Sequence, residues 1–275
     1  MAEKDFAIVC DASCDLPLSF LEKARVVPVH LADPESGDAD PFERVYRGLA
    51  EKGYGHVVSI HSAASFSPLI ECARAAAKTC ADAIDVRIVD SGSASAATGM
   101  LIDRAARHRS FDVSLDDSVS ALEALAGQVR LLVIPVSSTL QAARRRQRGH
   151  GRAGLIGRAA ATIRMRVTGE RGLYLVSGGE ITQLARNTDI AALSKRLSHA
   201  AAAVSSSNGP LLHALVEDGN ARALRMVERA LEEEGVQTGC LGTVRALPIT
   251  EEVVGAGSVA VAIAPESSYR RDVPK

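Results

Sequence analysis

The stretch GYGHVVSIHSAASFSP, residues Gly53 to Pro68, decides how the first half of the chain reads. A short apolar run from His56 to Ile60 stops at His61. Three serines, Ser62, Ser65 and Ser67, then follow among alanines before Pro68 closes the stretch. A compact run rich in β-branched residues, with glycines before it and small hydroxyls after it, is the mark of a buried strand opening into a loop. Such a strand needs helices on its faces, and the chain supplies one on either side. FERVYRGLAEKG precedes it, with Phe42, Val45, Tyr46 and Leu49 on one face and Gly53 as the stop. PLIECARAAAKTCADA follows it.

Working outward, the alternation repeats. FAIVCDAS is an apolar run breaking at Asp11, and LPLSFLEKA has helical spacing, with Asp15 read as its N-cap and Pro17 in its first turn. RVVPVHL is a second strand, DPESGDADP a polar loop and DVRIVDS a further strand. AATGMLIDRAARH and LDDSVSALEALAGQV read as helices, and RLLVIPVS as a fifth strand of the same half. After Thr139 the texture changes. LQAARRRQRGHGRAG reads as a short helix running into a basic, glycine-rich loop, and GLYLVSGGEITQLAR as a hairpin across Gly178 and Gly179. Two helices, DIAALSKRLSHAAAAV and NARALRMVERALEEEG, and three strands, GPLLHALVED, CLGTVRALP and GSVAVAIAP, complete the pattern. The fold class is therefore α/β. Two α/β domains are expected: residues 1–145 with a mainly parallel sheet flanked by helices, and residues 146–275 with a mixed sheet and helices.

Composition narrows the function. At 275 residues and 47% hydrophobic, the chain can bury a substantial core. Aromatics make up 3% and tryptophan is absent, which argues against a surface that stacks on bases. A net charge of -1 gives no global field to recruit nucleic acid or an anionic membrane. No apolar run approaches the length of a bilayer span, and MAEKDFAIVCDAS lacks the apolar core of a signal peptide, so a cytoplasmic protein is expected. Cys10, Cys14, Cys72, Cys80 and Cys240 show no metal or redox spacing and are expected to be small buried hydrophobes.

Familiar catalytic motifs are missing. GHGRAG has dinucleotide-site spacing, but RRRQR rather than a strand precedes it. Arg144 to Arg148 read as a solvated basic loop; a nucleic-acid contact there is the weakest reading, and none is expected. His56 and His61 point to opposite faces of one strand and cannot chelate one metal together. No nucleophile elbow or phosphate loop is present, so no catalytic residue is assigned. What remains is positional. CDASCD, HSAASFS and VDSGSAS end three strands that a parallel sheet sets side by side at its carboxyl edge, where ligands bind. Hydroxyls and helix N-termini there suit a carboxylate or phosphate. The candidates are Ser13, His61, Ser62, Ser65, Ser67 and Ser91.

These residues, in this order, resemble the DegV family, the bacterial fatty-acid-binding subunits of fatty-acid kinase. IVCDASCDLP is similar to the family's DSTADLP opening, GYGHVVSIHSAASFS to its segment ending in HISSKLSGTY, and VRIVDSGSASAATGMLI to its IDSKSVSMGLG segment. GGEI stands for the family's DGEI, ALPITEEVVGAGSVAVAIAP matches the closing strand, loop and strand, and Arg152 in GHGRAG matches the arginine of a glycine-arginine turn. The resemblance implies a tunnel between two domains that holds a long-chain fatty acid, with no other cofactor. The protein would be a lipid carrier and not an enzyme, and a separate kinase catalytic subunit would act on the carboxylate. Ser13, Ser67, Ser91 and Arg152 fall on matching positions. The family's carboxylate ligands fall elsewhere: SGDADP replaces the threonine loop, Ala63 and Ala64 replace the paired serines, and Val253 replaces a histidine. Ser62 and Ser65 are the substitutes the loop offers. The alternative is a divergent relative that keeps the fold without lipid and serves as a regulatory or interaction protein.

Overall fold

The computed structural model describes residues 6–29, 40–147 and 169–271. The first strands are β1 (Ala7–Asp11), β2 (Val26–Val29), β3 (His56–His61) and β4 (Asp85–Asp90). They form a parallel sheet in the order β2-β1-β3-β4. The connections are helical. α1 (Leu18–Lys23) joins β1 to β2, α2 (Pro41–Glu51) leads to β3, and α3 (Leu69–Thr79) joins β3 to β4. Asp40 caps α2 by accepting from the Phe42 N–H at 2.8 Å, and Pro41 opens the helix, where its missing N–H costs nothing.

α4 (Ala96–Ser110) and α5 (Leu115–Ala126) follow, then β5 (Arg130–Ile134) and α6 (Thr139–Gln147). The remaining elements are β6 (Arg171–Ser177), β7 (Glu180–Asn187), α7 (Ile190–Asn208), β8 (Leu211–Glu217), α8 (Ala221–Glu233), β9 (Thr238–Arg245), α9 (Pro248–Val254), β10 (Val259–Pro265) and α10 (Glu266–Tyr269). The second sheet has the order β7-β6-β5-β10-β8-β9 and is mixed: only β8 and β9 run parallel. The hairpin expected at Gly178 and Gly179 joins β6 to β7, with both glycines at positive φ, as a tight turn of this hand requires.

Alternation along the strands sorts side chains into layers. Ala7 and Val9 face α2 and α3, while Ile8 and Cys10 face the interior shared with α4. In β10, Val259, Val261 and Ile263 face the cluster under α7 and α8, and Ala260, Ala262 and Ala264 face α4. Three alanines in a row on that face let α4 lie close between the two sheets. Its Gly99 is similarly tight, since a Cβ there would stand 3.1 Å from Leu16 Cδ2 and 3.2 Å from the Cys14 carbonyl. α4 is the shared wall of the molecule.

Four expectations change. RLLVI, read as the fifth strand of the first sheet, is β5 and pairs antiparallel with β6 and β10 in the second. Sheet membership thus changes between β4 and β5, upstream of residue 145. Arg144, Arg145 and Arg146, read as loop, are in the last turn of α6, where cations complement the helix dipole. Asp15 does not cap α1; Pro17 stands at that position, and Asp15 adopts a left-handed conformation at φ 55. Cys10, Cys14 and Cys80 are buried as expected, but Cys72 and Cys240 are exposed. Arg148, Arg152, the rest of GHGRAG and most of the SGDADP loop lie outside the described residues.

Candidate functional site

The carboxyl ends of β1, β3 and β4 meet the N-terminus of α4, and the polar residues there are almost wholly buried. Asp11, the last residue of β1, is the centre. Its Oδ1 accepts from the Ser13 N–H at 2.7 Å and from the Ser13 hydroxyl. Its Oδ2 lies 2.6 Å from His61 Nδ1 at the end of β3. Burial works against ionisation of Asp11, but the His61 hydrogen bond and charge, with the Ser13 donors, outweigh it and hold the carboxyl below its ordinary value.

Two chains of hydrogen bonds converge on this carboxylate. The first starts on α2: Tyr46 Oη lies 2.8 Å from Ser59 Oγ, and Ser59 Oγ lies 2.7 Å from His61 Nε2. Phe42 packs edge-on to the His61 ring at 5.4 Å and closes the face above it. The second runs through hydroxyls alone. Ser13 Oγ and Ser62 Oγ are 2.9 Å apart, Ser62 Oγ and Thr98 Oγ1 3.0 Å, and Thr98 Oγ1 and Ser91 Oγ 2.8 Å.

Each hydroxyl of the row has one proton to give. The Ser13 proton goes to the carboxylate, the strongest acceptor present. Ser62 Oγ donates to the Ser13 carbonyl at 3.2 Å. The Ser93 N–H donates to Ser91 Oγ at 3.2 Å at the far end of the row.

A second buried acid stands beside it. Asp15 accepts from the Ser95 hydroxyl at the head of α4 and from the Leu247 N–H before α9 at 2.8 Å. Burial pushes its carboxyl up to about 7, with Ser95 and Leu247 opposing. Ser95 itself adopts φ 55, and its N–H donates to the Ser13 carbonyl at 3.0 Å. This rare backbone conformation at a polar loop is held from both sides.

The β4–α4 loop also touches the second sheet. Ser93 Oγ donates to the Val176 carbonyl at 2.8 Å, and the Gly179 N–H donates to the Gly92 carbonyl at 2.8 Å. Gln147 on α6 clamps the same hairpin, giving a bond to the Gly179 carbonyl at 2.7 Å and accepting from the Ile181 N–H at 3.0 Å.

Of the residues singled out in the sequence, Ser13, His61, Ser62 and Ser91 are joined in this network. Ser67 Oγ accepts from the Leu69 N–H at 3.4 Å and keeps its proton. Ser65 Oγ is buried with no hydrogen-bond partner. Ala63 is buried, Ala64 is exposed, and Val253 packs against the main core. Sequence reasoning missed Asp11, Thr98, Tyr46 and Ser59 as members. Ser59, His61 and Asp11 have the connectivity of a nucleophile, base and acid, but Ser59 is fully buried and its Oγ is engaged by Tyr46, so it is closed to a substrate. Among the described residues no cluster of ligating side chains suits a metal ion.

Comparison with known proteins places the fold. No curated protein matches the chain. Among solved structures, a DegV family protein of Corynebacterium glutamicum is 18% identical with a TM-score of 0.76, covering 96% of this chain and 98% of its own. A fatty-acid-binding DegV family protein of Thermus thermophilus is 18% identical with a TM-score of 0.76, over 95% and 99% of the two chains. A stearic-acid-binding protein of Eubacterium ventriosum is 18% identical with a TM-score of 0.75, over 97% and 99%. The family model described as "Uncharacterised protein, DegV family" matches residues 37–266, from the head of α2 to the end of β10, and on that match the chain belongs to the DegV family.

Proposed function

We propose that this protein is a non-catalytic, cytoplasmic carrier of a long-chain fatty acid or similar lipid. The acyl chain would lie in a tunnel between two units, residues 1–145 and 146–275, with its head group at the carboxyl edge of the parallel sheet. The observation that carries the reading is the likeness in fold, over nearly the whole chain, to structures described as binding fatty acids. The polar edge supports it: the Ser65 hydroxyl and the Ser67 hydroxyl, which accepts from the Leu69 N–H and keeps its proton, would meet the head group, and Ser13, His61, Ser62 and Ser91 would fix the loops that carry them. Arg152 is the cation proposed to complete the site. A separate kinase catalytic subunit acting on the bound head group is the partner this reading implies.

Native mass spectrometry of the purified protein, followed by lipid extraction, tests the carrier. A stoichiometric acyl ligand is expected. A protein that stays empty when fatty acids are added would instead support a DegV relative acting through regulation or protein contacts.

A further inference from the structure

The two edges of the second sheet are finished differently. On β7, Gln147 of α6 accepts the Ile181 N–H at 3.0 Å, and Arg144 donates to Gln183 Oε1 at 3.1 Å. Glu180 and Arg186 add charge along the same strand. An edge finished this way resists further pairing. β9 is the opposite edge, parallel to β8, with six of its eight residues exposed. Its sequence TGCLGTVR has no proline, no lysine and no charge before Arg245, and Leu241 is 44% exposed. An open groove of about 980 Å3 lies between the strand and α8, with Leu215, Leu231, Val236 and Cys240 along it. A long uncharged edge of this kind is a template for another strand.

The charges of α8 say which strand fits. The helix carries Arg222 and Arg225 in its first turns and Glu232 and Glu233 in its last, with no acid in the first turn and no base in the last. That order opposes the helix dipole, which favours anions at the start and cations at the end. α8 carries the chain back between two parallel strands, so it runs antiparallel to β9. Its arginine end lies where β9 finishes at Arg245, and its glutamate end where β9 starts at Thr238. A second β9 laid antiparallel along the first, about a two-fold axis, reverses the partner's α8. Glutamates of one copy then meet arginines of the other at both ends of the seam, and each adverse helix end gains counter-charge. A copy laid parallel would set like charge against like.

We infer that two copies of this chain associate isologously through β9, antiparallel, joining their second sheets into one continuous sheet with the two α8 helices facing each other across the seam. The surface is separate from the carboxyl edge of the parallel sheet, so the inference is independent of the lipid reading.

Sedimentation equilibrium of the full chain in reducing buffer, from about 5 to 500 μM, tests it. A mass of two chains with a dissociation constant of about 10–100 μM is expected. Leu241→Asp puts a charge on the exposed edge and should weaken association at least tenfold. Arg222→Glu with Arg225→Glu, and separately Glu232→Arg with Glu233→Arg, should each give a monomer. Mixing the two charge-reversed proteins should restore the dimer, because each then offers the other its complement. That rescue also shows that both variants are folded. A single-chain mass at 500 μM overturns the inference. So does a dimer unchanged by Leu241→Asp, which would lie on another face, or a mixture that fails to associate.

Discussion

His61 Nδ1 and Asp11 Oδ2 are 2.6 Å apart, and both side chains are sealed from solvent. A carboxylate only accepts, so His61 bears its proton on Nδ1 toward Asp11, leaving Nε2 to Ser59. The pair is the junction of two hydrogen-bond chains and joins the ends of β1 and β3.

Removing one member strands the other. Asp11→Asn should cost about 3–5 kcal/mol, because a buried ring and two Ser13 donors lose their acceptor charge. His61→Gln should cost a similar amount. The double variant should lose clearly less than the sum, as the two share one interaction. Urea unfolding of all three variants is the measurement, and simple additivity would rule out the coupling.

Asp15 gives stability an unusual pH slope. Its carboxyl is raised from 3.8 to about 7, so the folded chain holds a proton that the unfolded chain has released. That contribution is full below the unfolded value and is lost as pH rises through the folded one, by up to about 4 kcal/mol. Asp11 runs the other way. Its carboxyl is lowered, so its contribution is present above the ordinary carboxylate range and fades in acid. Asp15→Asn retains an acceptor for the Leu247 N–H and should remove the loss between about pH 4 and pH 7. Chemical denaturation of wild type and variant at both ends decides it; parallel slopes would show that Asp15 does not titrate there.

Gly92 is a point of contact between the two sheets. It sits at φ +60, and a Cβ would stand 3.1 Å from Gly178 Cα. Gly92→Ala should therefore cost about 1–3 kcal/mol through backbone strain and displacement of the hairpin tip. Gly127→Ala is the control, at φ -65 with its nearest atom 3.6 Å away, and should be close to neutral. Thermal unfolding midpoints compare them, and equal midpoints would refute the contact argument.

Thiol chemistry should divide the cysteines. Cys72 and Cys240 are exposed and should react at once with an aromatic disulfide reagent. Cys10, Cys14 and Cys80 are buried, and Cys10 is further protected because its contact with Cys14 and its burial push the thiol pKa well up. Two thiols should titrate in the native protein and all five after denaturation. A third fast thiol would show that one of the three buried positions opens.

Much of this architecture was legible in the chain. Strand ends such as CDASCD and VDSGSAS declare themselves because an apolar run that breaks into small polar residues suits a parallel strand entering a loop. RLLVI misled because a strand buried on both faces reads the same in either sheet; only its partners, Tyr174 to Val176 and Val259 to Ile263, decide. The arginines of α6 looked like loop because the glycines after them dominate the local pattern. Thr98 was hidden as a helix residue, and its role depends on a helix end meeting a strand end, which spacing does not encode. Asp15 looked like a cap because an aspartate before Leu-Pro suits one; the carboxyl instead reaches Leu247, far along the chain.

The position of β10 sets an order on biosynthesis. The first sheet is complete once β4 has emerged, so its strands can pair as the chain leaves the ribosome. The second sheet is assembled from two ribbons, β7-β6-β5 and β8-β9, and only β10 joins them. Until Val259 to Pro265 are made, β5 and β8 each present an open apolar edge. A chain stalled in that interval would carry two sticky edges beside an already folded lobe. Chaperone demand and aggregation should concentrate there.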